Sequence, residues 1–115
     1  MPSMTSYRRG DIVLVSFPFT DLSSSKRRPA LVVSPDSFNE QGQDVVLVAI
    51  TSQEPDDNAV TIHERDCVDG ELPKQSFVKL AKLFTVHSTL VLRKICALRG
   101  EKLDDVLRGL RGFFS

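Results

Sequence analysis

The sequence has no long apolar run, no tryptophan, no excess of charge of either sign and only two cysteines, Cys67 and Cys96. A helix that spans a membrane needs about 20 mostly apolar residues, and no stretch of the chain approaches that length. The polar N-terminus, Met1 to Tyr7, has no apolar core of a signal peptide. We therefore expect a cytoplasmic protein without a membrane partner.

The two cysteines also limit the chemistry. A disulfide framework uses more cysteines, and a structural zinc site uses closely spaced pairs of cysteines or histidines, which Cys67 and Cys96 and the distant His63 and His87 do not form. We expect two reduced thiols, with Cys96 packed as a small core residue because it lies inside an apolar run. No bound metal and no cofactor are expected.

A net charge of zero hides an uneven distribution along the chain. Residues 1–35 hold five Lys/Arg and two Asp/Glu, residues 36–73 hold one Arg and ten acids, and residues 74–115 hold nine Lys/Arg and three acids. If the two basic segments converge in the fold, they form a face suited to nucleic acid. The alternative is an ordinary solvated mixture of charges.

The pattern of apolar residues predicts a mainly β chain with one helix at its end, in a single domain over residues 1–115. A helix over residues 101–114 follows from one apolar stripe at helical spacing. A short helical turn over residues 37–40, capped by Asp36, is also predicted. Several short strands with one terminal helix indicate a small, strongly bent antiparallel sheet or barrel. The predicted strands are residues 12–17, 30–34, 45–50, 59–63, 76–80, 82–86 (a continuation or a separate strand) and the second half of 90–98.

One stretch, residues 10–34, organises the rest of the chain. It consists of a β-branched apolar run, a polar loop with serines, and a second apolar run entered through Arg27, Arg28 and Pro29. Proline has no amide donor, so we expect Pro29 at the first residue of the second strand. The guanidinium group presents a rigid fork of donors that matches a phosphate. Two arginines where a mobile loop meets a strand are therefore well placed to hold a phosphodiester.

Four segments resemble the MazF/PemK family, the toxin endoribonucleases of bacterial type II toxin–antitoxin pairs. They are Gly-Asp-Ile-Val at 10–13, Arg-Pro-Ala-Leu-Val-Val-Ser at 28–34, Ala-Ile-Thr-Ser at 49–52 and Leu-Phe-Thr-Val at 83–86. The resemblance extends over nearly the whole chain. It implies an SH3-like antiparallel barrel with a C-terminal α-helix, usually as a homodimer. It also implies metal-independent cleavage of single-stranded RNA, in which the 2′-hydroxyl attacks the phosphorus and leaves a 2′,3′-cyclic phosphate.

The resemblance assigns two catalytic residues. Arg28 stands at the position of the family's catalytic arginine and would neutralise the scissile phosphate. Thr51 follows a buried strand, as the family's second active-site residue does, and its hydroxyl would donate to a phosphoryl oxygen. Alternatively, Arg28 is a surface arginine and Thr51 satisfies a strand end. The residues expected to bind RNA are Ser23, Ser24, Ser25, Lys26, Arg27, Ser52, Lys79, Lys82 and Thr85.

One position departs from the family pattern. Two residues after Lys79, one family branch carries an acid that is proposed as the general base, and this chain has Ala81 there. A carboxylate base is therefore not transferred to this chain. His63 and His87 are the side chains that titrate near neutrality, and each is more typical of a structural role.

The resemblance also implies partners and leaves alternatives open. The expected partners are a cognate acidic antitoxin, a second copy of the chain and, through the antitoxin, operator DNA. An inactive binding module that engages an antitoxin, nucleic acid or a protein is the alternative to an enzyme. Toxins of related fold that poison gyrase end in Trp-Gly-Ile, whereas this chain has no tryptophan and ends Phe113-Phe114-Ser115.

Overall fold

The computed structural model describes residues 6–17, 26–55 and 58–115, which form one antiparallel sheet of seven strands followed by a helix. The order of strands across the sheet is β4-β6-β3-β2-β1-β7-β5, and the sheet curls into a half-barrel. The predicted fold, a mainly β barrel with a C-terminal helix, is confirmed. The strands are β1 (Asp11–Phe17), β2 (Lys26–Val32), β3 (Asp44–Thr51), β4 (Ala59–Ile62), β5 (Cys67–Val68), β6 (Ser76–His87) and β7 (Val91–Leu98), and the helices are α1 (Asp36–Asn39) and α2 (Gly100–Phe113).

The three central strands bury side chains on both faces of the sheet. Successive residues of a strand point to opposite faces, and in β1 the side chains of Ile12 and Val13 belong to two different core clusters. The apolar stripe of α2 packs on the Ile12 side through Leu103, Val106 and Leu107. Burial on both faces explains why β1, β2 and β3 are continuous apolar runs rather than alternating ones.

The second predicted strand begins earlier than expected. It starts at Lys26 and ends at Val32, so Pro29 lies inside β2 rather than at its first residue, and Arg27 and Arg28 belong to the strand. The sheet tolerates this proline because β2 pairs with β3 only over Ala30–Val32, whereas it pairs with β1 over Lys26–Leu31. At Pro29 no amide donor is needed on the β3 side.

The structure differs from the sequence predictions in three other places. The two candidate strands at 76–80 and 82–86 are one strand, β6, with an irregularity that places Val48 opposite Leu83 and Ile50 opposite Val78. The two-residue strand β5, within the acidic stretch 64–73, was not predicted. The expected cap at Asp36 is wrong: a carboxylate oxygen of Asp36 accepts from the backbone N–H of Arg9 at 2.7 Å, and Pro35 precedes the helix.

The C-terminal helix α2 confirms the prediction within one residue at each end. It is 14 residues long. No helix among residues 6–17, 26–55 and 58–115 has the length and apolar character needed to cross a membrane.

Candidate active site

A groove of about 500 Å³ opens at one end of the β1–β2–β3 ladder. Its lining is half polar and half apolar, with apolar side chains such as Leu14 and Ile50 beside cations and hydroxyl groups. The segment that leads into β6 and the middle of β7 complete it. The described residues that line it are Leu14, Arg27, Arg28, Pro29, Ile50, Thr51, Ser52, Gln53, Leu72, Pro73, Lys74, Ser76, Arg93 and Ile95.

Arg28 and Thr51 occupy matching positions on neighbouring strands. Ala30 of β2 is opposite Ala49 of β3, and the pairing ends there. Continued by two residues, the same register would place Arg28 opposite Thr51. Because Pro29 offers no N–H to extend the ladder, the strands are free to separate at this point. The groove lies in that opening, with Arg28 from one strand and Thr51 from the other in its lining.

Thr51 is held by both its backbone and its side chain. It is the last residue of β3, and its backbone pairs with Phe77 of β6. Its Oγ1 accepts a hydrogen bond from the backbone N–H of Gln53 at 3.1 Å. A hydroxyl group has one donor as well as two acceptor lone pairs. Thr51 can therefore accept from its own turn and still donate to a phosphoryl oxygen in the groove.

The charge of the groove is positive. Arg27, Arg28, Lys74 and Arg93 line it, and none of the four forms an ion pair or a side-chain hydrogen bond with another described residue. Its described lining contains no carboxylate and no imidazole. Four uncompensated cations in one concave site attract a polyanion.

Some of the cations elsewhere on the described surface are engaged in the structure. Lys94 Nζ lies 3.4 Å from a carboxylate oxygen of Asp11 and 3.9 Å from one of Asp69. Arg99 Nε donates to the Arg65 carbonyl oxygen at 2.7 Å. Lys79, Lys82 and Arg111 lie outside the groove and also have no ion pair with a described residue. What distinguishes the groove is that four such cations lie together in one concave lining.

The structure brings together some of the residues that the sequence analysis selected and separates others. Arg27, Arg28, Thr51 and Ser52 share the groove. Lys26 begins β2 beside Arg27 but does not line it. The predictions for Ser23, Ser24 and Ser25 fall outside the described residues.

The three RNA-binding candidates on β6 lie away from the groove. Lys79 is opposite Ala59 of β4, on the far side of β6 from β3, and Thr85 is opposite Val46. Lys82 is exposed at the irregularity between them. None of the three lines the groove of Arg28 and Thr51. Any contact that these three residues make with RNA would involve nucleotides that lie outside the groove.

Neither histidine belongs to the groove. His87 Nδ1 contacts Thr89 Oγ1 at 2.9 Å and caps the turn after β6. His63 precedes a helical turn, and its backbone N–H donates to Asp66. Within the described parts of the chain, no group of three or more His, Cys, Asp and Glu side chains is arranged to hold a metal ion.

The two cysteines are buried free thiols on adjacent strands, β5 and β7. Burial raises the pKa of the Cys96 thiol to about 12, and a hydrogen bond to the neighbouring Cys67 adds to the shift. The pKa of Cys67 is also raised, chiefly by burial. Both groups are therefore neutral core residues at physiological pH, as expected for Cys96.

Sequence analysis missed Lys74, Arg93 and Gln53 as lining residues. Arg93 interrupts the apolar run of β7, a pattern that does not by itself indicate a site. The missing information was the sheet order: β7 pairs with β1, and that pairing brings a residue near the C-terminus beside the N-terminal hairpin. The basic segments 1–35 and 74–115 do converge, at this groove.

A second depression, of about 520 Å³, is almost entirely apolar and lies between α1, β6 and α2. Phe38, Leu83 and Phe114 line it and are exposed, with 37%, 40% and 63% of their surfaces accessible. None of the predicted site residues lines it. Its chemistry suits protein contact rather than catalysis.

The family model that describes the PemK-like, MazF-like toxins of type II toxin–antitoxin systems matches residues 8–114. The chain belongs to this family. Among curated protein sequences, none matches the chain.

Solved structures confirm the fold of this MazF-like chain. A mycobacterial endoribonuclease in complex with its cognate antitoxin aligns with a TM-score of 0.74 at 19% identity, over 96% of this chain and 95% of that one. MazF in a MazE–MazF complex from Deinococcus radiodurans aligns with a TM-score of 0.75 at 20% identity, over 96% and 97% of the two chains. The Mycobacterium tuberculosis toxin MazF-mt6 gives 0.73 at 16% identity, over 90% and 95%.

Proposed function

We propose that this chain is the toxin of a type II toxin–antitoxin pair and that it cleaves single-stranded RNA without a metal ion. The observation that carries the proposal is the meeting of Arg28 and Thr51 in one groove with three further cations, Arg27, Lys74 and Arg93, none of which is paired with a described residue. Family membership supports the toxin role, and solved relatives are named endoribonucleases. The reaction is attack of a 2′-hydroxyl on the adjacent phosphorus, leaving a 2′,3′-cyclic phosphate and a free 5′-hydroxyl.

The chemistry divides between the two catalytic candidates. As the 2′-oxygen attacks, negative charge grows on the non-bridging oxygens of the phosphorus. The Arg28 guanidinium offers two parallel donors to those oxygens, and the Thr51 hydroxyl offers a third. Fixed donors of this kind, aimed at charge that develops in the transition state, contribute a large part of many rate enhancements.

The described groove offers fewer groups for proton transfer than for electrostatic stabilisation. The described lining offers no carboxylate or imidazole that could take the proton of the 2′-hydroxyl. Water or hydroxide then receives that proton, and solvent protonates the leaving 5′-oxygen. Electrostatic stabilisation without a tuned base gives a slower enzyme than one with both.

A second candidate function follows from that same observation. A groove that holds phosphates but lacks a base suits an inactive module that binds RNA or an antitoxin. Ala81, where one family branch has an acid, favours this alternative. The two functions differ in one result: an inactive module binds RNA and leaves it whole.

We propose three partners for the toxin. Two of the solved relatives described above are complexes with an antitoxin, and the unpaired cations of the groove suit an acidic antitoxin segment. Through that antitoxin the complex would reach operator DNA. Five large apolar side chains of the described residues, among them Leu83 and Phe114, are exposed. Such exposure is typical of protein–protein surfaces and supports a homodimer. A cytoplasmic location fits RNA as the substrate.

The test compares nucleic acids and variants in one assay. The purified protein is incubated with mixed-sequence single-stranded RNA, the same RNA as a duplex, and single-stranded DNA, which lacks the 2′-hydroxyl. We expect cleavage of the single-stranded RNA only, and loss of that cleavage in Thr51→Val. Arg108→Ala is the matched control, because Arg108 is an exposed cation on α2, no residue of which lines the groove. Intact RNA after binding to wild-type protein would favour the inactive module.

A further inference from the structure

The groove lining contains two further cations, Lys74 and Arg93, which come from elements other than β2. Leu14 of β1 is opposite Pro29 of β2 and also opposite Arg93 of β7. Residues directly opposite each other on neighbouring strands point to the same face of the sheet. Pro29, Leu14 and Arg93 therefore form one row across the floor of the groove. Two strand spacings separate the ends of that row, about 10 Å.

Arg93 differs from the lysine that follows it. Lys94 is neutralised by Asp11 and Asp69, and it serves the fold. Arg93 is exposed and has no ionic partner among the described residues, although its backbone is fixed by pairing with Leu14. Two adjacent cations on one strand thus have opposite surroundings. No group among residues 6–17, 26–55 and 58–115 pairs with the charge of Arg93, so that charge is available to a ligand.

Lys74 lies in the segment before β6 and faces the same groove. The Ser76 hydroxyl donates to the backbone carbonyl of Lys74 at 3.1 Å, which fixes the turn that presents it. Its ammonium group has no ionic partner in the described structure either. The lining of the groove also includes the apolar side chains of Leu14, Ile50 and Ile95, which are available to a sugar or a base.

We propose that Lys74 and Arg93 form a second phosphate subsite, which holds an RNA phosphate that flanks the scissile one. The proposal rests on the function proposed above, because Arg28 and Thr51 define which phosphate is cut. One strand would place its scissile phosphate at Arg28, lay a nucleoside over the apolar floor and place a second phosphate between Lys74 and Arg93. These two residues are binding residues and take no part in proton transfer.

A binding role has a distinct signature in salt dependence. For a single-stranded nucleic acid, the slope of log K against log salt changes by about 0.7 for each phosphate contact. Loss of one contact therefore lowers affinity about fivefold at 0.1 M salt and less at higher salt. Arg93→Ala should raise KM for RNA by this factor and leave kcat unchanged, whereas a catalytic residue would lower kcat.

The experiment measures binding of a fully 2′-O-methylated, mixed-sequence RNA, in which the attacking hydroxyl is capped and no cleavage occurs. Affinity is measured from 0.05 to 0.3 M salt for wild type, Arg93→Ala, Lys74→Ala and the double variant. Arg93→Lys keeps the charge, and Arg108→Ala removes an exposed charge outside the groove. We expect slopes reduced by about 0.7 for each single variant and by no more than that for the double one, because both residues hold the same phosphate. Arg93→Lys and Arg108→Ala should match wild type.

A second measurement locates the phosphate. In one 2′-O-methyl oligonucleotide that the wild type binds, each phosphate is replaced in turn by a neutral methylphosphonate. At one linkage the replacement should weaken wild type and have no effect on Arg93→Ala, which is the coupling that a direct contact produces. Additive losses at every linkage would overturn the proposal.

The outcomes separate this inference from the proposed function. If wild type cleaves RNA and Arg93→Ala binds RNA with the wild-type slope, the proposed second subsite is wrong, whereas the proposed cleavage activity is supported. If wild type never cleaves but the slopes fall as expected, the subsite stands as part of a binding groove. Thermal unfolding of each variant guards against loss of the fold, and Arg93→Gln replaces Arg93→Ala should the alanine variant unfold.

Discussion

Arg28 and Thr51 both lie two residues beyond the Ala30–Ala49 pair, at the point where β2 and β3 stop pairing. An interior proline creates that point, because Pro29 removes the donor that would carry the ladder further. The same residue that ends the pairing thus separates two strands whose side chains then line a groove. The catalytic candidates are placed by the backbone of the sheet, which is more rigid than a loop.

The first prediction concerns the antitoxin. An acidic segment that lacks fixed structure can wrap a basic groove and order as it binds. We expect such a segment to cover Arg28 and displace RNA, and the Ser23–Ser25 stretch is expected to be covered with it. The measurement is a titration of labelled 2′-O-methyl RNA, bound to wild-type toxin, with the purified antitoxin. Complete displacement is expected, and higher salt should weaken exposed ionic contacts. A ternary complex at saturation, with the RNA affinity unchanged, would show that inhibition acts from a distance.

The second prediction concerns the contact between Gly70 and β7. Gly70 has a φ of +137°, and a Cβ atom there would overlap the carbonyl oxygen of Ile95 and lie 3.1 Å from Cys96 Cα. We expect Gly70→Ala to lower the free energy of unfolding by about 2 kcal/mol or more. Gly42→Ala is the matched control, since Gly42 also has positive φ (+84°) but no atom within 4 Å of its Cβ position. It should cost about 1 kcal/mol. Urea unfolding measures both, and equal losses would contradict the close contact.

The third prediction follows from the raised pKa values of the two thiols. In the unfolded chain a thiol ionises near pH 8.5, whereas burial holds the pKa of Cys96 at about 12. Between these values the unfolded state binds fewer protons than the folded state, so the free energy of unfolding falls as pH rises. Below about pH 8 this contribution is constant.

Urea unfolding at pH 8 and pH 10 tests the thiols, with Cys96→Ala as the comparison. The alanine variant should be less stable at pH 8 and lose less stability between the two values than wild type. Iodoacetamide at pH 8 should modify Cys67 and Cys96 only after unfolding. Rapid alkylation of the native protein would show that these thiols are not the buried groups described.

The fourth prediction concerns the pH dependence of cleavage. Because the described lining holds no carboxylate or imidazole, the proton of the 2′-hydroxyl is expected to leave to solvent. The logarithm of kcat/KM should then rise with pH at about unit slope between pH 6 and 8, with no plateau. A bell-shaped profile would instead identify a titrating acid and base, brought to the groove by a part of the chain outside the described residues.

How much of the fold was predictable from the sequence depends on how far apart in the chain the interacting residues lie. Local patterns were sufficient for α2, whose apolar stripe and charge order define a helix, and for the strands of the central runs. They did not reveal that β6 is one long strand, because its irregularity near Lys82 interrupts the alternation on which the prediction depended. The strand β5 is two residues long, and it exists only through its pairing with β7.

The groove residues that were predicted from the sequence either match the family pattern or lie next to a residue that does. Arg28, Thr51, Ser52 and Arg27 meet as expected. Lys74 and Arg93 were missed because their placement depends on the order of strands across the sheet, which a single sequence does not specify. For the same reason Lys79, Lys82 and Thr85 were expected near the groove, although the course of β6 carries them away from it.

The most direct test of the account is to map the ends that the protein leaves on RNA. Wild type, Arg28→Ala and Arg108→Ala are each incubated with mixed-sequence single-stranded RNA in EDTA, and the termini of the products are determined. We expect wild type and Arg108→Ala to produce 2′,3′-cyclic phosphate and 5′-hydroxyl ends at equal rates. Arg28→Ala should be slower by about a hundredfold or more while its thermal unfolding is unchanged. Cleavage that stops in EDTA and returns with magnesium, or a folded Arg28→Ala protein that cuts at the wild-type rate, would contradict the account.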